Sequence, residues 1–235
     1  MKYIFFDLDC TLYYLDEENF LPVYFDAIGK WAVSIGFDYK TALKAMYEGS
    51  INMSNSDGVN TNDIFFWDAF TKVMGPLTKE KRAELDAFYE KEFDKLGFLS
   101  KPVDGVNDVI KTLKDKGYTL IVNTNPILPM EAQLVRMKWG KLNPNDFAYI
   151  TAYDTCHFAK PDPRLYKELA DKFNADPKDC LMVGNDVKGD IIAAKKAGFN
   201  VFLITNFVSN RDNDDISNIP QGDFNVLLKY IDSTK

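Results

Sequence analysis

Short apolar segments recur along the chain and constrain its fold more than any other feature. Each is a nearly continuous apolar run rather than an alternating one, which is typical of strands buried on both faces of a parallel sheet. Helical patterns lie between the later segments, and Asp162 followed by Pro163 predicts the first turn of one such helix. The alternation of strand and helix therefore predicts an α/β fold with a parallel sheet. The predicted strands are residues 2–9, 119–122, 148–151, 180–183 and 201–204.

One long interruption separates the first predicted strand from the second. Residues 15–100 carry helical patterns and no strand-like run, and Pro102 with Gly105 marks the return to the α/β pattern. We therefore predict a core of residues 1–14 and 101–235, with an all-helical domain of residues 15–100 inserted after the first strand. The predicted helices of the insertion are residues 20–35, with Pro22 in the first turn, 40–47, 63–74 and 79–96.

The charge balance argues against one class of ligand. The 235 residues contain 28 Lys and Arg against 35 Asp and Glu, a formal net charge of −7, whereas nucleic-acid polymers are bound by clustered Lys and Arg. No apolar run approaches the roughly 18 residues of a membrane span, and the apolar stretch of residues 3–6 meets Asp7 and Asp9 too early for the pattern of a signal peptide. We therefore expect a cytoplasmic monomer or homodimer that binds neither nucleic-acid polymers nor membranes.

The cysteines and the histidine favour no reactive site of their own. Cys10, Cys156 and Cys180 are an odd number without the spacing of a zinc site, and His157 is the only histidine. A disulfide framework and a Ser-His-Asp triad are therefore disfavoured. A thiol nucleophile at Cys156 is disfavoured as well, because adjacent side chains rarely face each other.

Polar residues follow the predicted strands where each strand ends. In an open parallel sheet the ligand site lies beyond the carboxyl ends of the strands, so these residues are expected to converge. Asp7 and Asp9 are two apart, which places both carboxylates on one side of an extended backbone, where they repel unless a cation lies between them. With Asp186 as a third oxygen donor, the set suits Mg²⁺. The other members of this rim are Thr11, Thr124, Asn125, Lys160, Asn185 and Asp190.

A phosphate site at the same rim follows from the charges. Carboxylates alone repel a phosphate, but a metal ion, the Lys160 ammonium and the hydroxyl and amide groups around Thr124 would reverse the local sign. A carboxylate beside a bound phosphate ester can attack phosphorus as a covalent nucleophile. The rim therefore predicts Mg²⁺-assisted chemistry on a small phosphorylated metabolite.

These motifs resemble those of the haloacid dehalogenase superfamily, in its phosphatase branch with a helical cap of the C1 type. Asp7-Leu8-Asp9-Cys10-Thr11 is similar to the DxDxT motif of that family, Thr124 to its second motif, Lys160 to its third, and Gly184-Asn185-Asp186 with Asp190 to its fourth. The members that the chain resembles are pyrimidine 5'-nucleotidases and phosphoglycolate phosphatases. The resemblance implies a Rossmann-like core with an inserted helical cap.

The resemblance also implies a role for each rim residue. Asp7 would be the nucleophile that takes the phosphoryl group, and Asp9 would protonate the leaving alcohol and then activate water. Mg²⁺ would be bound by the Asp7 carboxylate, the Asp9 main-chain carbonyl and Asp186. The phosphoryl oxygens would be held by Thr124, Asn125 and Lys160, with Thr11, Asn185 and Asp190 as supporting residues.

The fourth motif departs from the family pattern by one residue. Many members have Gly-Asp where this chain has Gly184-Asn185. The metal ligand is therefore assigned to Asp186, with Asn185 as a neutral second ligand and Asp190 as an outer acid. Which of residues 185 and 186 faces the metal stays open.

Several activities fit the resemblance. The leading prediction is a phosphomonoester hydrolase that acts on a nucleoside monophosphate or a sugar phosphate. A phosphomutase would use the same residues while excluding water from the aspartyl-phosphate. A 2-haloacid dehalogenase needs no second acid, so Asp9 argues against it. A phosphoacceptor switch module would lack the large insertion and would carry its acceptor later in the chain than Asp7.

Two segments of the predicted cap bear on the substrate. Residues 52–62 form a long polar loop, for which a surface position and a contact with substrate are both open. Phe65, Phe66 and Trp67 are interpreted as core of the cap rather than as groups that stack on a base.

Overall fold

A parallel sheet forms the centre of the core, which confirms the predicted α/β class. The computed structural model describes residues 1–234. In their order across the sheet, its strands are β5 (Tyr149–Ile150), β4 (Thr119–Val122), β1 (Tyr3–Phe6), β6 (Cys180–Gly184), β7 (Asn200–Ile204) and β8 (Gln221–Gly222). Each neighbouring pair is parallel. The chain moves outward from β1 to β4 on one side and to β6 on the other, and a ligand crevice forms at the carboxyl end of such a switch point.

Alternate residues of β1 face two separate cores. Ile4 and Phe6 belong to the core on one face of the sheet, and Phe5 to the core on the other. All three side chains are fully buried, as the continuous apolar run predicts. The helices of the first face are α5 (Val106–Asp115), α6 (Met130–Trp139) and α9 (Phe224–Ser233), and those of the second are α7 (Pro163–Lys172) and α8 (Ala193–Lys196).

The inserted segment is helical, and two short strands join it to the core. β2 (Tyr13–Leu15) leads into it, β3 (Ser100–Pro102) leads out, and the two pair antiparallel. The predicted domain boundaries, after residues 14 and 100, fall within these strands. Its helices are α1 (Glu17–Ser34), α2 (Tyr39–Asn52), α3 (Asn62–Met74) and α4 (Lys79–Lys91), with 3₁₀ turns at Met53–Asn55 and Phe93–Leu99.

Aromatic side chains hold the cap together and attach it to the core. Phe20 and Tyr24 of α1 pack against Phe93, with ring centroids 6.2 and 5.9 Å apart. Trp139, the last residue of α6 in the core, packs on the same Phe93 ring at 5.1 Å. The buried hydroxyls of Tyr24 and Tyr89 are 2.8 Å apart and share a hydrogen bond. Such aromatic pairs contribute about 0.5–1.5 kcal/mol each beyond their burial, so the contact with Trp139 helps to fix the cap on α6.

Several element ends differ from the prediction, for local reasons. α1 begins at Glu17 because Asp16 caps it by accepting the Asn19 N–H, so that Pro22 lies beyond the first turn. α4 ends at Lys91 rather than at residue 96, and the following 3₁₀ turn buries Phe93 instead. β1 stops at Phe6, which leaves the two acids of the first motif on the loop after the strand.

Candidate active site

A cavity of about 740 Å³ lies between the carboxyl ends of the core strands and the cap helices. Eight of the nine predicted site residues line it, and we call these eight the polar floor. The polar floor consists of Asp7, Asp9, Thr124, Asn125, Lys160, Asn185, Asp186 and Asp190. Thr11, the ninth, does not line the cavity but is within hydrogen-bonding distance of Asp7 and Asn185. The structure thus brings together the whole set that the sequence places at the strand ends.

Lys160 lies between two carboxylates of the polar floor. Its Nζ is 2.7 Å from Asp7 Oδ1 and 2.5 Å from Asp190 Oδ1. Burial opposes the charge on Lys160, but Asp190 and Asp7 outweigh burial and raise the pKa of the ammonium. The Lys160 backbone N–H donates to Asn125 Oδ1 at 3.1 Å. Asn125 therefore holds the loop that presents the ammonium, and Lys160 stays charged.

Asp7 and Asn185 share a single hydroxyl. Thr11 Oγ1 is 3.3 Å from Asp7 Oδ2 and 3.1 Å from Asn185 Oδ1, and the Thr11 side chain is buried. The other end of the Asn185 amide donates to the carbonyl of Phe207 at 2.8 Å. A hydroxyl donates one proton at a time, so Thr11 positions the Asp7 carboxylate and the Asn185 amide oxygen next to each other.

Asp186 and Asp190 have different surroundings. Asp186 Oδ1 accepts the backbone N–H groups of Lys188 and Gly189 at 3.0 and 3.1 Å and so caps the π-helical turn Val187–Ile192. Asp190 is fully buried, and burial together with the nearby Asp7 charge raises its pKa to about 7. Gly184 is required beside it, because a Cβ at residue 184 would collide with the Asp190 carboxylate.

Asp9 has a partner that the sequence reasoning misses. Arg136 of α6 donates to Asp9 through Nη2 and, at 3.2 Å, through Nε, and its Nη2 is also 3.2 Å from Thr124 Oγ1. The Tyr13 hydroxyl donates to the same carboxylate, and Gln133 accepts from Arg136 Nη1. Burial lowers the pKa of Arg136 to about 10, so the guanidinium remains charged at neutral pH. The Asp9 carboxylate is thus held by a buried cation that also contacts the Thr124 hydroxyl.

The sequence does contain a signal for Arg136. The predicted helices include none between the second and third strands, a segment that contains Pro126 and Pro129. Yet Pro129 is the N-cap of α6, and the following ten residues are good helix formers. Gln133 and Arg136 are three apart, which places two polar groups on one face of that helix. A polar pair on a face that must be buried would have marked both residues.

Of two polar loops near the cavity, the one after β7 lines it and the one in the cap does not. None of residues 52–62 lines the cavity, although Met53, Ser56 and Asn62 of this segment are buried. The segment after β7 does line the cavity, through Asn210, Arg211, Asp212 and Asp214. Arg211 lies 3.4 Å from Glu17 of α1, which joins this core loop to the cap.

The charges of the polar floor fit a hard divalent cation. Lys160 faces an excess of carboxylates, because the other cations that line the cavity are paired with acids of their own. Within residues 1–234, no group of three His, Cys, Asp or Glu side chains forms a metal cage. Mg²⁺ does not need one, since it binds one or two carboxylates together with water and substrate phosphate. Asp7, Asp186 and the Asn185 amide oxygen are the oxygen donors available for it.

Comparison with protein families gives a match over most of the chain. Residues 1–198 match the family described as haloacid dehalogenase-like hydrolase. The chain belongs to this family of hydrolases. The match covers the first strand with its two acids, the inserted helices, and the strand that carries Gly184. The predicted superfamily and the prediction of an enzyme are confirmed.

Individual relatives of similar length are phosphatases. The chain is 25% identical over 224 residues to the glyceraldehyde 3-phosphate phosphatase of Methanothermobacter thermautotrophicus, covering 92% of this chain and 91% of that protein. It is 30% identical over 213 residues to the phosphoglycolate phosphatase of Vibrio vulnificus, covering 87% and 84%. These relatives place the chain among the phosphatases of the family, which act on small phosphorylated substrates.

A solved structure shows the same fold. The crystal structure of a predicted phosphoglycolate phosphatase from Haemophilus somnus matches with a TM-score of 0.58 and 23% identity over 98% of each chain. The predicted core with an inserted helical segment agrees with this likeness. Within residues 1–234, no helix combines the length and the apolar character needed to cross a membrane.

Proposed function

We propose that this hydrolase is a Mg²⁺-dependent phosphomonoesterase that works through an aspartyl-phosphate on Asp7. The observation that carries the proposal is the position of Asp7. Its carboxylate lines the cavity at the end of the central strand, and the buried Lys160 ammonium lies 2.7 Å from Oδ1. A carboxylate held beside a fixed cation is suited to attack a phosphate ester, whose negative oxygens the same cation attracts.

The first step transfers the phosphoryl group to the enzyme. An Asp7 carboxylate oxygen attacks phosphorus, a new P–O bond forms, and the bond from phosphorus to the ester oxygen breaks. The leaving alkoxide takes a proton from the Asp9 carboxyl group, so the alcohol departs neutral. Lys160 and the Thr124 hydroxyl face the negative charge that spreads over the phosphoryl oxygens. Asp9 belongs to the same cavity, so one side chain can reach the leaving oxygen.

The second step returns Asp7 to its starting state. The Asp9 carboxylate takes a proton from water as the water oxygen attacks phosphorus. The bond between phosphorus and the Asp7 oxygen breaks, which releases inorganic phosphate and leaves both acids as they began. Arg136 would support this step, because its guanidinium contacts both oxygens of the Asp9 carboxylate and so fixes the orientation of that group.

The metal would be bound by Asp7 and Asp186, with the Asp9 main-chain carbonyl and the neutral Asn185 as further oxygen donors. When bound, Mg²⁺ would offset the negative charge of the carboxylates and of the phosphate. Asn185 is the stronger candidate for a neighbour of Asp7, because Thr11 contacts both side chains. Asp186 would contribute the carboxylate oxygen that does not cap the π-helical turn.

The proposal is tested by phosphate release from a panel of sugar phosphates, nucleoside monophosphates, phosphoglycolate and p-nitrophenyl phosphate, with Mg²⁺ or with EDTA. Asp7→Asn should lower turnover by at least about 10³-fold, because the amide is a poor nucleophile. Asp154→Asn, at an exposed acid outside the cavity, is the matched control and should keep activity.

Four results would contradict the proposal. Turnover that survives Asp7→Asn would exclude the aspartyl-phosphate, and full activity in EDTA would exclude the metal. Interconversion of sugar phosphate isomers without phosphate release would identify a phosphomutase, and halide release from a 2-haloacid would identify a dehalogenase.

A further inference from the structure

The upper part of the cavity has a different chemical character from the polar floor. Many of the side chains that line it are aromatic, and we call six of them, from three cap helices and the loop after β5, the aromatic wall. The aromatic wall consists of Tyr24, Phe66, Trp67, Phe70, Tyr89 and Tyr153. Phe66 and Trp67, interpreted from the sequence as core of the cap, are buried as expected and line the cavity as well. Side chains of this kind bind rings rather than small charged groups.

Apolar side chains also surround the cap side of the cavity where it meets solvent. Leu21, Tyr47 and Ile51 line the cavity although they are 56%, 58% and 45% exposed. Exposed apolar residues that cluster at a cleft mark surfaces that a ligand covers. A two-carbon alcohol such as glycolate would leave most of the roughly 740 Å³ filled with water. The cavity therefore suits a larger alcohol with apolar surface.

One carboxylate interrupts this apolar surface. Asp86 of α4 lines the cavity, and so do Leu85 and Tyr89 of the same helix. Within residues 1–234, no group donates a hydrogen bond to it or forms an ion pair with it. Arg82, one turn earlier, is turned elsewhere, since it stacks on Trp67 at 4.2 Å and lies 3.8 Å from Asp63. A half-buried acid without a partner is costly unless a ligand supplies the donor.

We propose that the substrate is a phosphate monoester whose alcohol carries a ring and a hydrogen-bond donor or cationic nitrogen. The ring packs on the aromatic wall, and the donor or cation binds the Asp86 carboxylate. This inference rests on the proposed function, because the phosphate must occupy the polar floor for the alcohol to reach the wall. It makes Asp86 a specificity-determining residue with no part in the chemical step.

A series of esters with similar leaving groups separates the contributions. Ethyl phosphate, 2-phenylethyl phosphate and 2-[4-(aminomethyl)phenyl]ethyl phosphate differ in the ring and then in the amine. We expect kcat/KM to rise about tenfold or more from the first ester to the second, and about tenfold again to the third. Glycerol 3-phosphate and ribose 5-phosphate serve as polar esters of intermediate size.

Asp86→Asn should abolish the advantage of the amine, so that kcat/KM for the third ester falls to within about threefold of the second. Glu90→Gln, an exposed acid one turn later on the same helix, should retain that advantage. Equal kcat/KM values for all three esters would overturn the role of the wall. An amine advantage that persists in Asp86→Asn would overturn the role of Asp86.

Binding measurements distinguish a failure of this inference from a failure of the proposed function. The dissociation constants of the three esters are measured by calorimetry on Asp7→Asn, with and without Asp86→Asn. If no ester is hydrolysed by the wild type, the proposed function fails, yet tighter binding of the third ester that depends on Asp86 would still support the inference. Hydrolysis without any difference in binding or kcat/KM would overturn the inference alone.

Discussion

The polar floor and the aromatic wall face each other across one cavity but are held in place by different forces. The floor consists of charged and polar groups that are fixed by one another and by backbone N–H groups, as Lys160 is by Asp7 and Asp190. The wall consists of rings that are fixed by packing, as Phe66 is by Trp67 and Phe70 at 5.2 and 5.6 Å. Removing one member of the floor leaves a buried charge without its partner, whereas removing one ring leaves a cavity.

This difference predicts two kinds of response to substitution. Changes in the floor should lower the rate of the chemical step for every substrate, since they alter the charges at the phosphoryl group. Changes in the wall should alter the ranking of substrates or the stability of the cap while leaving the chemistry intact. Substitutions of Lys160, Arg136 and Asp86 test that separation.

Lys160→Met should lower kcat/KM by about 10²–10³-fold, because the cation that faces the phosphoryl oxygens is lost. It should also lower the free energy of unfolding by about 3 kcal/mol, since Asp7 and Asp190 lose their shared partner. Phosphate release and urea unfolding measure the two effects. Lys167→Met, at an exposed lysine of α7, is the control. A substrate-dependent loss of activity in Lys160→Met would contradict the separation of floor from wall.

Arg136→Gln should lower kcat by about 10–100-fold for alkyl phosphates, because Asp9 loses the cation that orients it. With p-nitrophenyl phosphate, the burst of p-nitrophenol that reports the first step should be affected less, since this leaving group departs without a proton. Comparing the two substrates therefore distinguishes a positioning role for Arg136 from a purely structural one.

Arg136→Lys refines this test, because it keeps the charge but not the two-point contact with Asp9. Its activity on alkyl phosphates should lie between those of the wild type and Arg136→Gln. Equal losses in the rate of the first step for both classes of ester, in both variants, would show that Arg136 does not act through proton transfer by Asp9.

The two regions also differ in how much of them the sequence predicts. The floor is predictable because chemistry restricts which residues follow a buried strand, so Asp7, Lys160 and Asp190 can be read from motifs and the parallel sheet brings them together. The motifs do not identify Arg136. It lies 127 positions from Asp9 in the sequence, on a helix that begins directly after Pro129. Residue types restrict the site strongly only where the chemistry does.

The wall is less predictable for a related reason. An aromatic residue at helical spacing reads as core whether or not a cavity lies beside it, so Phe66 and Trp67 carry no local sign of their second role. The same holds for Asp86, whose spacing on α4 resembles that of any acid on a solvent-facing surface. Only the packing of α4 against the rest of the cap places its carboxylate on the cavity.

The smallest predicted effect concerns the stability cost of Asp86. Burial is the main cause that raises its pKa from 3.8 to about 6, with Glu131 adding to the rise and Arg82 opposing it. A raised pKa means that the folded protein binds this proton more tightly than the unfolded chain does. Protonated Asp86 therefore contributes its full stabilisation to the folded protein below about pH 4, and this contribution is lost as the pH rises through 6. Asp86→Asn, which has no charge to bury, should be more stable than the wild type by about 1 kcal/mol at pH 8 and equally stable at pH 4.

Urea unfolding at both pH values measures this difference, with Glu90→Gln as the control that should show none. A stabilised Asp86→Asn protein that has also lost its preference for amine-bearing esters would mean that the cap retains a destabilising acid for the sake of binding. The cap side of the cavity would then contain one group that, like those of the floor, is placed by chemistry rather than by packing. Equal stability at pH 8 would instead show that Asp86 is solvated well enough to be an ordinary surface acid, and the wall would be apolar packing alone.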